Sequence, residues 1–405
     1  MSNVPPGARG RECDVVVVGG GPVGLFLATL LAQQGVDVVV LERRTGSSAH
    51  SRAIGLHPPG LVALQRLGLD EEILAQGVPV ERGVGRSRGH QLGELAFDGV
   101  RPDFPFVLSL PQHRTEAVLV RRLGELAPGA LRRGWDVHDV QDAGGRVDVV
   151  AARSPAPGPD SAPGPAERAV WRARVLVAAD GARSVVRARS GIGTDLKPYP
   201  DTFLMGDFAD TTGDGSTAAI YLEPGGVVES FPLPGGMRRW VAHTGAVPAA
   251  SRAEDLASIV ADRTGEVLDP GSHTMTSAFT VRRQLARRLV TGHQVLIGDA
   301  AHEFSPIGGQ GITLGWLDAL ALAPLLEDLV ADDPGCPLPA IPSFQDFQRA
   351  RLRSARRAAR VAELNMVMGR PVSVVAGRAR GIAVRGALRT PLRHTLARAF
   401  TMAWV

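Results

Sequence analysis

An α/β fold is predicted for this 405-residue chain by three observations. A β-branched run, Asp14 to Val18, leads directly into Gly19-Gly20-Gly21-Pro22-Val23-Gly24. Far downstream, Gly298-Asp299-Ala300-Ala301-His302 precedes a second glycine-rich loop, Pro306-Ile307-Gly308-Gly309-Gln310-Gly311, and then an apolar helix from Ile312 to Leu322. Between the two loops, short alternating stretches separated by Gly and Pro turns read as an antiparallel sheet. Two separated nucleotide-type loops point to one extended cofactor held at both ends.

The first loop follows from elementary chemistry. Asp14 to Val18 reads as a buried parallel strand. In Gly19-x-Gly21-x-x-Gly24 the first glycine permits the tight turn and the second admits a pyrophosphate to the backbone. The third lets the next helix lie against the strand. That helix, Pro22 to Gln34, begins with proline and stops before Gly35, as helix ends prefer. Val36 to Leu41 forms a second strand ending in Glu42, where a carboxylate accepts hydrogen bonds from ribose hydroxyls. Strand, helix, strand and terminal acid in register make this a Rossmann-like dinucleotide-binding unit rather than an ordinary βα turn. NAD and FAD enzymes share the motif, so it does not choose between them.

Downstream segments make that choice. Trp171 to Ala179 is strand-like and runs into Asp180-Gly181-Ala182-Arg183-Ser184-Val185-Val186-Arg187; later comes Gln294-Val295-Leu296-Ile297-Gly298-Asp299. With the glycine loop and Glu42, these segments resemble the flavoprotein aromatic hydroxylases, the single-component FAD monooxygenases typified by p-hydroxybenzoate hydroxylase. Ser51-Arg52-Ala53 matches the place where that family carries an arginine facing FAD, and Gln112 matches its glutamine near the ribityl chain. The resemblance covers nearly the whole chain. It implies a Rossmann-like FAD/NAD(P)-binding fold with an antiparallel-sheet substrate domain and a C-terminal helical segment. The FAD contacts it implies are Gly19, Gly21, Pro22, Val23, Gly24, Glu42, Arg43, Arg52, Gln112, Asp180, Asp299, Pro306, Gly308, Gly309, Gln310, Gly311 and Ile312.

Each of these residues has a physical role and a plainer alternative. Asp299 closes a strand, where its carboxylate accepts from a ribityl hydroxyl or caps the next segment. Pro306 to Gly311 lays backbone amides against the flavin, with the positive end of the following helix aimed at the ring edge that becomes anionic on reduction. Adjacent glycines avoid a collision with the flat ring. The resemblance assigns the Asp180 segment to both FAD and NAD(P)H, whereas alone it reads as a loop acid with a surface arginine, Arg187. Two departures stand out. Thr313 replaces the family's Asn after the last loop glycine, and His57-Pro58-Pro59-Gly60-Leu61 replaces a polar helix start.

Interleaved motifs divide the chain. Residues 1–78, 108–187 and 285–340 are expected to form a discontinuous FAD-binding domain, 79–107 and 188–284 the substrate-binding sheet, and 341–405 packed helices. The Pro/Gly run from Arg153 to Pro165 reads as a surface loop. Phe203, Met205, Phe208, Tyr221 and Phe231 either line a wide cavity or form the sheet's core.

Composition excludes several classes. The length exceeds one compact core, and 44% apolar residues suffice to build two or three. No apolar run approaches the roughly 20 residues of a membrane helix, and Met1 to Glu12 holds no secretory segment. Cys13 and Cys336 make no disulfide framework, and the histidines lack metal-ligand spacing. The net charge of +4 comes from arginine, since Lys197 is the sole lysine. Stretches such as Arg349 to Arg353 on a helix read as solvated faces rather than nucleic-acid contacts. A cytoplasmic enzyme with neither nucleic-acid nor membrane partners is expected.

The resemblance implies an NAD(P)H-consuming monooxygenase that uses O₂ to hydroxylate an aromatic, polycyclic secondary metabolite of polyketide type through a C4a-hydroperoxyflavin. A Baeyer–Villiger or epoxidising enzyme shares these motifs, and a non-catalytic flavin- or ligand-binding protein is the alternative of another class. A halogenase is disfavoured by the missing tryptophan-rich motif. No catalytic base is assigned; His243, His273 and His302 are candidates on chemistry alone. Many polyketide hydroxylases carry a further thioredoxin-like domain, which leaves oligomeric state open.

Overall fold

The computed structural model describes residues 10–46, 53–153, 167–246, 251–332 and 336–404, and it is a mixed α/β structure. The dinucleotide sheet has a parallel centre. Its path runs Val290–Thr291, Gln294–Leu296, Glu167–Ala178, Gly10–Val18, Val38–Glu42, Leu131–Arg133. The expected strands all form, with ends shifted by a few residues. The long strand Glu167–Ala178 divides one edge in two: Val147–Arg153 pairs antiparallel with its first half and Gln294–Leu296 parallel with its last. That arrangement brings Gly298 and Asp299 beside the end of the first strand. Of the run expected as a surface loop, residues 154–165 lie outside those described.

The first helix, Pro22–Gln33, is locked to a helix almost at the other end of the fold. The helix expected at Ile312 to Leu322 is longer, Gly311–Asp332, and continues through Pro324 because Leu326 and Leu329 keep its buried stripe going. Trp316 donates from its indole N–H to the Pro22 carbonyl at 3.0 Å and stacks on Phe26, centroids 5.1 Å apart. A Cβ on Gly315 would stand 2.4 Å from a Val23 methyl, so the two helices touch nearly backbone to backbone.

The second sheet has eight strands, ordered His302–Glu303, Met275–Ala286, Thr194–Ala209, Met237–Thr244, Val228–Leu233, Ala218–Tyr221, Arg82–Ser87, His90–Ala96. It is antiparallel with one exception: Ala218–Tyr221 and Arg82–Ser87 run parallel, because the latter arrives from the early part of the chain. Period-two alternation divides its faces. Leu204, Phe208, Tyr221 and Trp240 pack beneath the helix Ala253–Thr264, through Leu256 and Val260. Met205, Val241, Phe279 and Val281 cluster on the other face with Ile307 of the second glycine loop. The described chain ends in the helices Pro342–Gly369, Val374–Arg389 and Leu392–Phe400. No described helix is long and apolar enough to cross a membrane.

One buried ion network ties these parts together. Asp318, fully buried, accepts from the Gly298 amide at 3.0 Å, meets His302 Nε2 at 2.5 Å and accepts from Arg351 Nε at 2.6 Å. Arg351 therefore does not belong to a solvated face; it is the buried member of an otherwise exposed arginine stretch. Burial opposes ionisation of Asp318, but His302 and Arg351 hold its carboxyl below the ordinary range. Removing one partner of such a group leaves an uncompensated charge inside the protein. Asp318→Ala should therefore destabilise the fold by roughly 3–5 kcal/mol in denaturant unfolding, and a loss below 1 kcal/mol would mean that Arg351 and His302 repair the site unaided.

Candidate active site

A cavity of about 920 Å³ runs between the two sheets and under the C-terminal helices. The first loop forms one end. Gly19, Gly21, Pro22, Val23, Glu42 and Arg43 line it, whereas Gly24 lies behind it. A Cβ on Gly24 would sit 2.0 Å from the Gly19 carbonyl oxygen, so this glycine serves helix packing rather than contact with a ligand. Glu42 is buried and engaged. One oxygen accepts from the Gly20 amide at 2.7 Å and the other from the Arg44 amide and Nε at 2.8 and 2.9 Å. Burial works against its charge, yet Arg44 and that amide hold the carboxyl below its usual range. The oxygen that accepts from Gly20 keeps lone-pair capacity for a hydroxyl donor.

The middle of the cavity collects the downstream motifs. Asp180 lines it and also caps the short helix Val185–Arg189, one oxygen accepting from the Val185 and Val186 amides at 2.8 and 3.2 Å. Its other oxygen is buried without a partner, and desolvation raises its carboxyl above the ordinary range. Arg187 is not a surface arginine. It is buried and donates to the Ala300 and Ala182 carbonyls, both at 2.8 Å, bracing the turn that carries Asp299. Gln112 opens the helix Gln112–Leu126 and lines the cavity. Asp299 opens into the cavity, yet protein surrounds it closely enough that burial pushes its carboxyl up to about 6. Arg52 lies outside the described residues.

The second loop faces Asp299. Pro306, Gly308, Gly309, Gly311 and Ile312 line the cavity, but Gln310 does not. Its amide turns away and donates to the Ala399 and Phe400 carbonyls at 3.2 and 3.3 Å, because the C-terminal helix covers that side. The loop is held by a residue that sequence alone treated as local variation. His57 Nε2 lies 2.8 Å from the Gly308 carbonyl oxygen and must donate to it, since a carbonyl only accepts. Burial pushes the His57 imidazole down to about 4, so it is neutral at pH 7, with Nδ1 buried and unpartnered. Thr313, where the family carries Asn, accepts from the His57 amide at 3.4 Å.

The far end of the cavity is the apolar sheet face. Met205 and Phe231 line it, while Phe208 and Tyr221 belong to the opposite face and Phe203 is buried against Phe279. The C-terminal helices supply further walls through Leu388, Leu396 and Phe400, a contribution invisible in the sequence. None of the three histidine candidates reaches the cavity. His302 is consumed by Asp318, His243 meets Asp201 at 3.3 Å, and His273 is exposed against the Pro270 carbonyl. Glu229, which was missed, stands among the apolar lining residues. It is buried, desolvation pushes its carboxyl up to about 7, and it has no hydrogen bond or ion pair among the described residues. The one sequence signal was an acid two places before Phe231 on an alternating strand.

These residues fit FAD. The orphaned Asp180 oxygen and the Asp299 carboxyl face a cleft that runs from Gly19 to Gly309, and the loop presents backbone where side chains would intrude.

Comparison with known proteins agrees. Residues 12–332 match the family described as FAD binding domain. The chain is 35% identical over 340 residues to 6-methylpretetramide 4-monooxygenase of Streptomyces rimosus, across 81% of this chain and 57% of that relative. It is 32% identical over 326 residues to para-nitrophenol 4-monooxygenase of Pseudomonas sp. (strain WBC-3), across 77% of each chain. The crystal structure of p-nitrophenol 4-monooxygenase from Pseudomonas putida DLL-E4 superposes with a TM-score of 0.81 at 26% identity, over 97% of this chain and 98% of that one. The chain thus spans little more than half the length of the first relative.

Two outcomes follow from this geometry. Gly309 has φ +67°, and a Cβ there would stand 3.5 Å from His57 Nε2. Gly309→Val should strain the loop by roughly 1–3 kcal/mol and weaken FAD binding about tenfold, with circular dichroism unchanged; an unaltered Kd would place the loop away from the ring. For Glu229, the folded state keeps a proton between pH 4.5 and about 7 that the unfolded chain has released. Stability present below pH 4.5 is therefore lost as pH rises through 7, by about 3 kcal/mol in total. The Tm advantage of Glu229→Gln over wild type should grow from pH 4.5 to 8, and a pH-independent difference would mean that the carboxylate is well solvated.

Proposed function

This chain belongs to the family defined by that FAD-binding domain, and on that premise we propose that it is an FAD-dependent, NAD(P)H-consuming monooxygenase that hydroxylates an aromatic, polycyclic, polyketide-type substrate. The supporting observation is the continuity of one cavity from the dinucleotide loop, past Asp299 and the second loop, to an apolar sheet face. A dinucleotide cofactor and a flat apolar ligand have room to meet at the junction. The relatives that act on 6-methylpretetramide and on para-nitrophenol support the reaction class, and the first of them favours the larger substrate.

When bound, FAD supplies the redox chemistry, taking reducing equivalents from NAD(P)H and activating O₂ for transfer of one oxygen atom. The protein contributes position, charge and dryness. Glu42 and the Gly19–Gly21 backbone would hold the adenosine half, with Asp180 and Asp299 accepting hydroxyl donors along its length. Burial favours the protonated form of Asp180 and Asp299 while they are unpaired, and hydroxyl donors of the cofactor would favour the carboxylate that accepts them. The helix Gly311–Asp332 begins at the cavity, so its unpaired amides favour negative charge at the ring end. Neutral His57 fixes the Gly308 carbonyl without adding a charge of its own. Leu388, Leu396 and Phe400 keep water from the sheet end, where it would divert activated oxygen to peroxide. His57 is bound into the architecture through the Gly308 carbonyl, and none of the three histidine candidates is carried forward as a base. The cytoplasm supplies NAD(P)H and O₂, and the proposal puts the enzyme there; its oligomeric state does not enter the reading.

Turnover under ¹⁸O₂ tests the reaction. The product should gain one labelled oxygen with its carbon skeleton unchanged. Label from water, or turnover without oxygen, would overturn the monooxygenase reading, and a labelled ester oxygen would make the reaction a Baeyer–Villiger oxidation.

A further inference from the structure

Glu229 is a buried acid of the cavity that the proposed chemistry leaves without a role. Its strand is Val228–Leu233, and Glu229 shares a parity with Phe231. Across the sheet it stands opposite Ile220 on one side and Val241 on the other, and all of these residues line the cavity. Its directly opposite neighbours and Phe231 along the strand are therefore apolar, with Arg239 diagonal to it on the same face. The other charges on this face are already matched. Arg239 grips Asp207 through two bonds of 2.6 and 2.7 Å, and Arg282 reaches Glu303 at 2.6 Å. No cation is paired with Glu229 among the described residues.

A buried carboxyl without a partner is expensive, and native proteins rarely keep one unless something else completes it. The cavity it faces is large enough for a polycyclic ligand, and Met205, Ile220, Phe231 and Val241 offer that ligand only apolar contact. A ring system placed there meets Glu229, beside Arg239 whose guanidinium is already held by Asp207.

We propose that Glu229 is the specificity-determining anchor of the substrate end: it hydrogen-bonds a hydroxyl on the aromatic ligand and rejects ligands that carry a carboxylate. The inference rests on reading this end of the cavity as the substrate site. A phenolic hydroxyl completes the acid whether it is ionised, as acceptor, or protonated, as acceptor or donor. A methyl ether offers it no proton, and an anionic ligand sets like charges together in an apolar enclosure, where repulsion is weakly screened. Discrimination by an unpaired buried group exceeds what shape alone achieves in an apolar cavity.

The test uses the FAD-loaded protein and three probes of one shape: 2-hydroxyanthraquinone, 2-methoxyanthraquinone and anthraquinone-2-carboxylate. Binding is read by calorimetry and by perturbation of the flavin spectrum, so the result does not depend on turnover. Wild type should bind the hydroxyl probe roughly tenfold tighter than the ether, with the carboxylate weakest. Glu229→Leu should erase the hydroxyl preference while leaving the ether bound at least as well. Glu229→Gln, which keeps the shape and loses the charge, should restore binding of the carboxylate probe. Retained FAD affinity and circular dichroism in both variants confirm that the fold survives. Equal affinity of wild type for hydroxyl and ether, an unchanged preference in Glu229→Leu, or failure of all three probes to bind would each overturn the proposal. Loss of the hydroxyl preference with no oxygen incorporated under ¹⁸O₂ would sustain the anchor and remove the monooxygenase reading instead; incorporation with no role for Glu229 would do the reverse.

Discussion

The buried carboxylate of Asp318 is the interaction on which the arrangement depends. It receives the Gly298 amide, His302 and Arg351, so one side chain fastens the end of a parallel strand to two helices. Gly298 precedes Asp299, and the helix that carries Asp318 begins at the second glycine loop. The position of Asp299 against that loop is therefore set from behind, by a group that does not itself reach the cavity. Arg187 braces the same turn from the opposite side through the Ala300 carbonyl. A buried ion network suits this task because its geometry is directional, whereas apolar packing alone tolerates sliding.

The cavity then divides by chemistry along its length. At the dinucleotide end, polar groups are numerous and mostly engaged, as Glu42 is with Gly20 and Arg44. At the junction, Asp180, Asp299 and the His57 imidazole each keep unmet hydrogen-bonding capacity. At the sheet end, the walls are apolar and one acid stands by itself. Unsatisfied buried polar atoms are uncommon in native proteins; His57 Nδ1 and one Asp180 oxygen are two of them on residues of the cavity wall, while others, such as Trp240 Nε1 and Gln310 Oε1, lie elsewhere in the fold. The Asp180 oxygen connects packing to function: there the fold leaves a bond unmade where a cofactor would complete it.

Sequence by itself determined the parts of this protein whose chemistry is local. The Gly19 loop, the strand and helix around it and the acid at Glu42 are consecutive, and the physical demands of a tight βα turn are written within them. The same holds for the second loop and its helix. Alternation along Ala218 to Leu222 and Arg239 to His243 made the second sheet legible too. Only the tertiary structure decided matters that depend on which distant segments meet. Gln310 and Gly24 sit within cofactor motifs, but one side chain turns to the C-terminal helix and the other position is filled by backbone packing. Arg351 reads as one of several solvated arginines until a partner on another helix proves to be buried beside it. His57 lies 251 positions from the Gly308 carbonyl it holds, and Glu229 becomes conspicuous only when Ile220 and Val241 are known to flank it. The reason is physical: a turn or a strand is imposed by neighbours along the chain, whereas burial and the absence of a partner are properties of the space that other segments enclose.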